Sequence, residues 1–237
     1  MKKHLLSFFI LFSATVLLLS SLFRGAEQAL LSAISEAVTD TAPVIILDAG
    51  HGGMDSGAVG VNGCVEKELN LSLSKDLAAL LRLAGYTVIE TRTDDSMLGE
   101  AEAQKGHRKQ ADLEGRLALA EQYPNGVLIS IHMNTFPTAD CKGVQVWYSQ
   151  NNVASKEWAE AMQGRVKQAL QPENNRKIKA ATSSIYLLRH ASVPAVLVEC
   201  GFLSTPTECE RLCDTVYQQK LALTLFDALC ENLSAYT

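Results

Sequence analysis

Two histidines and two glutamates occupy places in the sequence where their side chains could act together on one substrate. His51 and His132 each follow a short apolar run, and Glu199 directly ends another. Glu66 lies in the segment after the glycine-rich turn around His51. Because ligands of open α/β sheets bind beyond the carboxyl ends of the strands, we expect these four side chains to converge at one edge of a sheet.

These residue types are suited to metal-assisted hydrolysis. Two imidazoles and one carboxylate are the ligands of a catalytic Zn²⁺, which keeps its fourth position for water and lowers the pKa of that water to about 7. The remaining carboxylate can act as a general base and later as an acid toward a leaving amine. Glu199 ends a buried apolar run, where an acid needs a metal or a proton relay as partner. Glu66, at a predicted helix start, could instead complement the helix dipole.

The elements that must position these residues alternate between short apolar runs and amphipathic helices. The first run is apolar on both faces, which is typical of a covered, parallel sheet. This alternation predicts a three-layer α/β domain with a mostly parallel central sheet of about six strands flanked by helices. Strands are predicted at residues 44–47, 86–91, 127–131, 143–149, 185–188 and 195–198, and helices at 66–84, 109–122, 155–170 and 216–233.

The composition is that of an ordinary globular protein. Of 237 residues, 47% are hydrophobic and 20% are charged, which excludes a disordered or low-complexity chain. The formal net charge is −5, and all of it lies beyond residue 40, because the charges in the first 40 residues cancel. Nucleic-acid binding relies on clustered Lys and Arg, so an acidic body of this kind excludes nucleic acid as the expected partner.

The N-terminus differs from this body. Lys2 and Lys3 precede residues 5–23, which contain no charged side chain and would cross most of a bilayer as a helix. The segment is a signal peptide or a membrane anchor, and the lack of a small-residue cleavage site after Phe23 favours the anchor. The two lysines predict that the body is exported. We expect a hydrophobic helix at 1–24, a linker at 25–42 and the catalytic domain at 43–237.

Six cysteines would normally indicate disulfides in an exported chain, but they allow fifteen pairings and the sequence selects none. A body of this size can build a core without them. Cys209 and Cys213 are spaced by about one helical turn, which is typical of two thiols on one helix face and poor for a zinc knuckle. We interpret most of the cysteines as buried or free thiols: Cys64, Cys141, Cys200, Cys209, Cys213 and Cys230.

The four candidate residues stand within longer motifs that resemble those of a known family, the zinc-dependent N-acetylmuramoyl-L-alanine amidases of type 3. The resemblance covers about residues 44–233, with the motifs in the family's order. They are HGGMDSGA at 51–58, Glu66-Lys67 with Asn70-Leu71, Thr91-Arg92, SIHMN at 130–134 and PAVLVECGFLS at 194–204. Further segments resemble the CwlD branch, the germination-specific amidases of endospore formers: HRKQADL at 107–113 with Arg116, NRKIK at 175–179 and IYLL at 185–188.

The resemblance implies a role for each of the four residues. His51, Glu66 and His132 would hold one Zn²⁺, and Glu199 would be the catalytic acid and base. Peptidoglycan is the implied substrate, cut between the muramic acid lactyl group and L-alanine. Cys64 departs from the family pattern. A thiol two residues before the ligand Glu66 could compete for the metal.

The CwlD branch further implies a role in spore cortex maturation and germination. There the stripped muramic acid is converted, with a deacetylase, to muramic-δ-lactam. The implied location is outside the cytoplasmic membrane, in the forespore intermembrane space or the cortex, with the N-terminus in the membrane and with an exported accessory protein as a candidate partner.

Other residues are candidates for supporting roles. Asn134 and Arg189 could contact substrate, although a loop amide and a solvated guanidinium are more often found without such a role. Asp48, at the end of the first strand, could orient a histidine ligand or simply stabilise the turn. Arg92 and Arg116 are candidates for structural ion pairs.

Two other functions remain open from the residues alone. A zinc peptidase that cuts within the peptide stem would use the same metal chemistry, so the preference for an amidase rests on the resemblance. A catalytically silent amidase-like module that binds or regulates wall enzymes is the third reading. Silent members of such families typically lose a ligand or the base, whereas all four residues are present here.

Overall fold

A computed structural model describes residues 43–99, 106–138 and 140–236, together with residues 21, 24, 25 and 28. The chain divides into two compact units, residues 1–42 and residues 43–237. Apart from those four residues, the predicted hydrophobic helix at 1–24 and the linker at 25–42 lie outside the described residues and stay predictions. No helix within the described part of the chain combines the length and the apolar character needed to cross a bilayer.

The second unit is built on one six-stranded sheet, as predicted. The strand order is β2-β1-β3-β6-β4-β5. Neighbours are parallel except for the β4–β6 pair, which is antiparallel. The strands are β1 (Val44–Ala49), β2 (Val88–Glu90), β3 (Gly126–Asn134), β4 (Gln145–Tyr148), β5 (Lys179–Ala180) and β6 (Ala195–Phe202).

Helices separate most of the strands along the chain. They are α1 (Glu66–Leu83), α2 (Arg108–Ala120), α3 (Ala154–Ala169), α4 (Tyr186–His190), α5 (Pro206–Cys213) and α6 (Thr215–Tyr236). In α1, Leu69, Leu73 and Leu77 recur at four-residue spacing and are buried, which gives the helix the apolar stripe that holds it on the sheet. Buried residues of α1, α3 and α6 join the same core, so these long helices gain most of their stability from packing.

The two faces of the sheet are covered by different helices, which makes three layers. On the α1 face, side chains such as Ile45, Leu47 and Ile129 pack in one core with buried residues of α1, α3 and α6. On the α2 face, Ile46 and Leu128 pack in a second core with the end of α2 and with α4. Successive residues of a strand point to opposite faces, so every strand except the two-residue β5 contributes to both cores.

One predicted strand is wrong. Residues 186–188 are the start of α4 and Ile185 is its N-cap, with the Arg189 amide donating to the Ile185 carbonyl, and the sixth strand is Lys179–Ala180. A short apolar run of four residues has no periodicity that separates a strand from a buried helical turn. Two other predictions are too short, because β3 continues through His132 and β6 continues through Glu199.

Candidate metal centre

Three neighbouring strands and one helix bring the four predicted residues to the same end of the sheet. His51 lies two residues beyond β1, and Glu66 is the first residue of α1. His132 on β3 is paired in register with Glu199 on β6. Partners in a parallel register project from the same face of a sheet, so both side chains lie on the α2 face.

The two histidines and Glu66 form a compact set of donor atoms. Glu66 Oε1 lies 3.2 Å from His51 Nε2 and 3.0 Å from His132 Nδ1. One ligand atom from each of the three residues lies within 4.8 Å of the other two, and the imidazole rings meet edge-on with centroids 4.9 Å apart. This donor set, two imidazole nitrogens and one carboxylate oxygen, is the one that catalytic zinc uses. The residues therefore fit the metal that the sequence predicted.

The backbone around His51 is shaped to bring the rings together. His51 has φ of 60°, and no other non-glycine residue among those described has a positive φ. A non-glycine side chain in this left-handed region is held there by its surroundings, and such residues cluster at functional sites. A Cβ at Gly50 would fall 2.2 Å from His132 Nε2. Only glycine therefore lets the strand end pass this close to the second imidazole.

Asp55 orients His51 from the opposite side. Its Oδ2 lies 2.9 Å from His51 Nδ1 and 2.9 Å from Lys109 Nζ, and its Oδ1 accepts from the Gly57 amide at 3.2 Å. Burial would raise the pKa of Asp55, but the hydrogen bonds from His51 and Lys109 hold it at about 2. A carboxylate on one ring nitrogen leaves the other free for a metal and makes it a better donor. No role was predicted for Asp55, because its contact to His51 depends on the left-handed backbone at His51 and not on a helical spacing.

Glu66 is held as an ionised carboxylate. It is almost fully buried, and its oxygens accept from the Ala58 amide at 2.8 Å and the Met133 amide at 3.1 Å. Burial alone would raise the pKa of Glu66, but hydrogen bonds and charge from His132 and His51 hold it well below its usual value. Conversely, burial would lower the pKa of His51, yet Glu66 and Asp55 raise it. The pocket thus favours positive charge, which a divalent cation would supply.

Glu199 differs from Glu66 in having no partner for one oxygen. Its Oε2 is buried and makes no hydrogen bond. Burial raises the pKa of Glu199 to about 7, with a further rise from the charge of Glu66 and opposing effects of His132 and His51. An acid with a pKa near neutrality can both accept and release a proton under physiological conditions. The unpartnered oxygen and the raised pKa are compatible with the predicted role of Glu199 as a proton carrier, which stays a prediction.

Two buried arginines hold the backbone that carries the histidine ligand. Arg116 donates from Nη2 to the His51 carbonyl at 2.7 Å. Arg92 donates from Nη2 to the carbonyls of Gly50 at 3.0 Å and Lys67 at 2.7 Å. These contacts tie the turn after β1 to α2 and to the first turn of α1. They therefore fix the distance between the His51 and Glu66 side chains.

Asp48 lies beneath this turn and reaches the histidine only through Arg116. Its Oδ1 accepts from Arg116 Nη1 at 2.6 Å and from Thr91 Oγ1 at 2.8 Å, and its Oδ2 accepts from Ser130 Oγ. Arg116 also pairs with Asp112 at 2.9 Å, so the ion pairing predicted for this arginine is confirmed. Burial would raise the pKa of Asp48, but Arg116 and Ser130 lower it below its usual value. Asp48 positions an arginine rather than an imidazole ring.

The two predicted substrate contacts, Asn134 and Arg189, lie on different elements of the domain. Asn134 ends β3, two residues after His132, and its carbonyl accepts from the Leu203 amide at 2.8 Å. Arg189 is exposed on α4 and lines a separate depression of about 190 Å³ together with Asn151.

A small cavity of about 50 Å³ lies directly against both imidazoles and is also lined by Lys109 and Leu187. A larger cavity of about 630 Å³ lies beside Gly143 and Pro172, and none of the four predicted site residues lines it. The size of a cavity therefore does not identify the candidate metal centre, whereas the types of residue that line it do.

The fold and the donor set agree with what comparison with known proteins shows. The sequence matches the family described as N-acetylmuramoyl-L-alanine amidase over residues 45–231. The chain therefore belongs to the N-acetylmuramoyl-L-alanine amidase family. This confirms the predicted family and the predicted class of enzyme, a cell wall amidase.

Individual relatives show which members of the family this chain is similar to. The germination-specific N-acetylmuramoyl-L-alanine amidase of Bacillus subtilis is 34% identical over 188 residues, which is 78% of each chain. The CwlD amidase from Clostridioides difficile, solved in complex with the GerS lipoprotein, is 35% identical with a TM-score of 0.75, covering 81% of this chain and 99% of that one. The amidase AmiC2 of Nostoc punctiforme is 29% identical with a TM-score of 0.70, covering 81% and 97%. This amidase is thus related to the germination-specific branch.

Proposed function

We propose that this chain hydrolyses the amide bond between N-acetylmuramic acid and L-alanine in peptidoglycan, with one Zn²⁺ held by His51, Glu66 and His132. The single observation that carries the proposal is the convergence of these three donors beside a glutamate, Glu199, that has an unpartnered oxygen. When bound, zinc would supply a Lewis acid and lower the pKa of a water molecule to about 7.

The protein's own residues account for the proton movements. Glu199 Oε2 takes a proton from the attacking water while the water oxygen bonds to the lactyl carbonyl carbon. The same carboxyl then delivers that proton to the L-alanine nitrogen as the carbon–nitrogen bond breaks. The products are a lactyl carboxylic acid and a free amine. In the metal-free pocket burial raises the pKa of Glu199 to about 7, and a bound cation would lower it from there toward the carboxylate that accepts the first proton.

The remaining residues position this machinery. Asp55 fixes the ring of His51, and Arg116 fixes its backbone carbonyl. Asn134, at the carboxyl end of β3, and Arg189, on α4, are proposed contacts to the glycan or the peptide stem. Their supporting observation is only their place on the elements that surround the centre.

The proposed location is outside the cytoplasmic membrane, with residues 1–24 as a membrane anchor and residues 25–42 as a linker. The support is the uncharged run at residues 5–23 behind two lysines. A role in spore cortex maturation and germination is supported by the name of the Bacillus subtilis relative. An exported accessory protein is supported by the Clostridioides difficile neighbour, whose structure is a complex with a lipoprotein.

The test is mass spectrometry of peptidoglycan digested by the full chain in detergent, with and without a chelator. Glu199→Gln is the matched control, because it changes one carboxyl oxygen for nitrogen and removes the proton carrier. We expect chelator-sensitive release of stem peptides with a free L-alanine amine, leaving unsubstituted muramic acid. Products cut within the stem would establish a peptidase instead. Bound zinc with no cleavage of either bond would indicate a missing accessory protein or the silent, regulatory module.

A further inference from the structure

A second group of metal-binding side chains lies apart from the histidine centre. Cys64, in the loop before α1, meets Cys209 and Cys213, both on α5. The sulfur atoms of Cys64 and Cys209 are 3.4 Å apart, and all three sulfurs lie within 4.8 Å of one another. Cys209 is buried, Cys64 is half-buried and Cys213 is exposed. Cys64 therefore points toward α5, where it meets two thiols, and it does not compete for the ligand position of Glu66.

The loop before α1 is organised around these thiols. Asn62 Oδ1 accepts from the Cys64 amide at 3.0 Å and from Cys209 Sγ at 3.0 Å, and Asn62 Nδ2 donates to Cys213 Sγ at 3.4 Å. One amide side chain thus contacts all three cysteines. A Cβ at Gly60 would lie 2.6 Å from the sulfurs of both Cys64 and Cys209, so only glycine fits against the pair.

We propose that Cys64, Cys209 and Cys213 form a second, structural metal site for a thiophilic divalent cation such as Zn²⁺. Tetrahedral zinc with Zn–S bonds of about 2.3 Å places its sulfur ligands roughly 3.8 Å apart. The Cys64–Cys209 separation of 3.4 Å, with no pair of the three sulfurs more than 4.8 Å apart, is compatible with that value. The three thiols release three protons to solvent as the cation binds. A water molecule on the open side, next to exposed Cys213, completes the coordination.

A disulfide is the alternative chemistry for the same residues. It would join two of the sulfurs, release two protons and two electrons to an oxidant, and leave the third thiol unused. The metal site uses all three sulfurs and keeps the hydrogen bond from Asn62 Nδ2 to Cys213 Sγ, whereas the Cys209 thiol gives up the proton that it donates to Asn62 Oδ1. This difference in the number of sulfurs used favours the metal.

The site would join the start of α1 to α5. Cys64 lies two residues before Glu66, so a cation bound there would tether the strand-to-helix loop that carries one ligand of the histidine centre. The proposal does not depend on which bond the histidine centre cleaves. It concerns a structural site with a separate donor set.

The test is metal binding by the full chain, prepared in detergent with reductant and stripped of metal, then titrated with Co²⁺. We expect two ions per chain and the near-ultraviolet absorption of a thiolate–cobalt bond. Cys213→Ser should lose that absorption and bind one ion, and because Cys213 is exposed the variant should fold. The matched control Cys141→Ser, at a cysteine outside the cluster, should keep both.

A second variant separates the two centres. His132→Ala should lose one ion but keep the thiolate absorption, because the cysteine site has its own ligands. The absorption also does not depend on hydrolysis of peptidoglycan, so a failure of the proposed hydrolysis would leave it unchanged. One ion per chain and no thiolate absorption in the unmodified protein would overturn the proposal. Peptide mapping of protein isolated without reductant provides a further check, since a disulfide between Cys64 and Cys209 would also overturn it.

Discussion

The two faces of the central sheet are made by the same strands but have different roles. On the α1 face, Ile45, Leu47 and Ile129 continue an apolar core to the carboxyl end of the sheet. On the α2 face, apolar residues give way at that end to polar ones, including His132 and Glu199. Because side chains alternate along a strand, a shift of one position separates a residue that stabilises the fold from one that does chemistry.

Within the α2 face, buried polar atoms differ in whether they have a hydrogen-bond partner. Asp48 and Arg116, fully buried on the α2 face, find partners for their charged atoms. Glu199 Oε2 has none. A buried polar atom without a partner costs free energy, and such atoms persist where function needs them. The α2 face therefore carries both a fully buried ion pair, Arg116 with Asp48, and a buried carboxyl oxygen without a partner, Glu199 Oε2.

Removal of the proton carrier should have the largest effect. We expect Glu199→Gln to lower turnover on the order of 10²–10⁴-fold, because general acid–base catalysis contributes that much. Zinc content should be unchanged, since Glu199 is not among the three converging donors. Steady-state kinetics and metal analysis of the same preparation measure both quantities. Full activity in this variant would remove Glu199 from the mechanism.

Removal of the buried arginine should destabilise the fold. Arg116→Met leaves Asp48 and Asp112 buried without their cation, which typically costs about 3–5 kcal/mol of unfolding free energy. Denaturant unfolding measures the change. The control is Lys156→Met, which breaks an exposed pair with Glu160 and should cost less than about 1 kcal/mol. Equal costs for the two variants would contradict the account of the α2 face.

The raised pKa of Glu199 predicts a pH-dependent stability for the metal-free protein. Between its ordinary pKa of 4.5 and its folded pKa of about 7, the folded state binds a proton that the unfolded state has lost. The stabilising contribution of this proton is complete below pH 4.5 and is lost as the pH rises through 7. In the presence of chelator, Glu199→Gln should therefore be more stable than the unmodified protein at pH 8, by up to about 3 kcal/mol, and should gain nothing at pH 4. A gain that is the same at both pH values would exclude titration of Glu199 as its cause.

Asp55→Asn should have a smaller effect, confined to the metal. The variant weakens the orientation of the His51 ring while all three donors remain, so zinc affinity should fall about 10–100-fold. Competition with a chelator of known affinity measures it. Lys109→Met, which removes the other partner of Asp55 Oδ2, should change the affinity less. A larger loss of zinc affinity in Lys109→Met than in Asp55→Asn would assign the orienting role to Lys109.

The sequence was sufficient to predict the sheet and the convergence of His51, His132 and Glu199. Those residues follow buried apolar runs, and parallel strands end at a common edge. It was not sufficient for Asp55, because the contact to His51 depends on a left-handed backbone that no local pattern specifies. Residues 185–188 were assigned to a strand because four apolar residues carry no usable period.

The thiol cluster shows a different limit. Cys209 and Cys213 are visible as a pair on one helix, but the third thiol comes from a loop 145 residues earlier in the chain. Only the packing of α5 against the loop before α1 brings them together. Local spacing therefore predicted two thiols on a helix face and could not predict the third.

The most direct test of the central claim is a comparison of metal content and peptidoglycan amidase activity between the unmodified full chain and His132→Ala. The claim is that His51, Glu66 and His132 hold the ion on which hydrolysis depends. We predict that His132→Ala loses one ion per chain together with all measurable release of L-alanine-terminated peptides, while its fold is retained. A folded variant with unchanged metal content and unchanged activity would contradict the account.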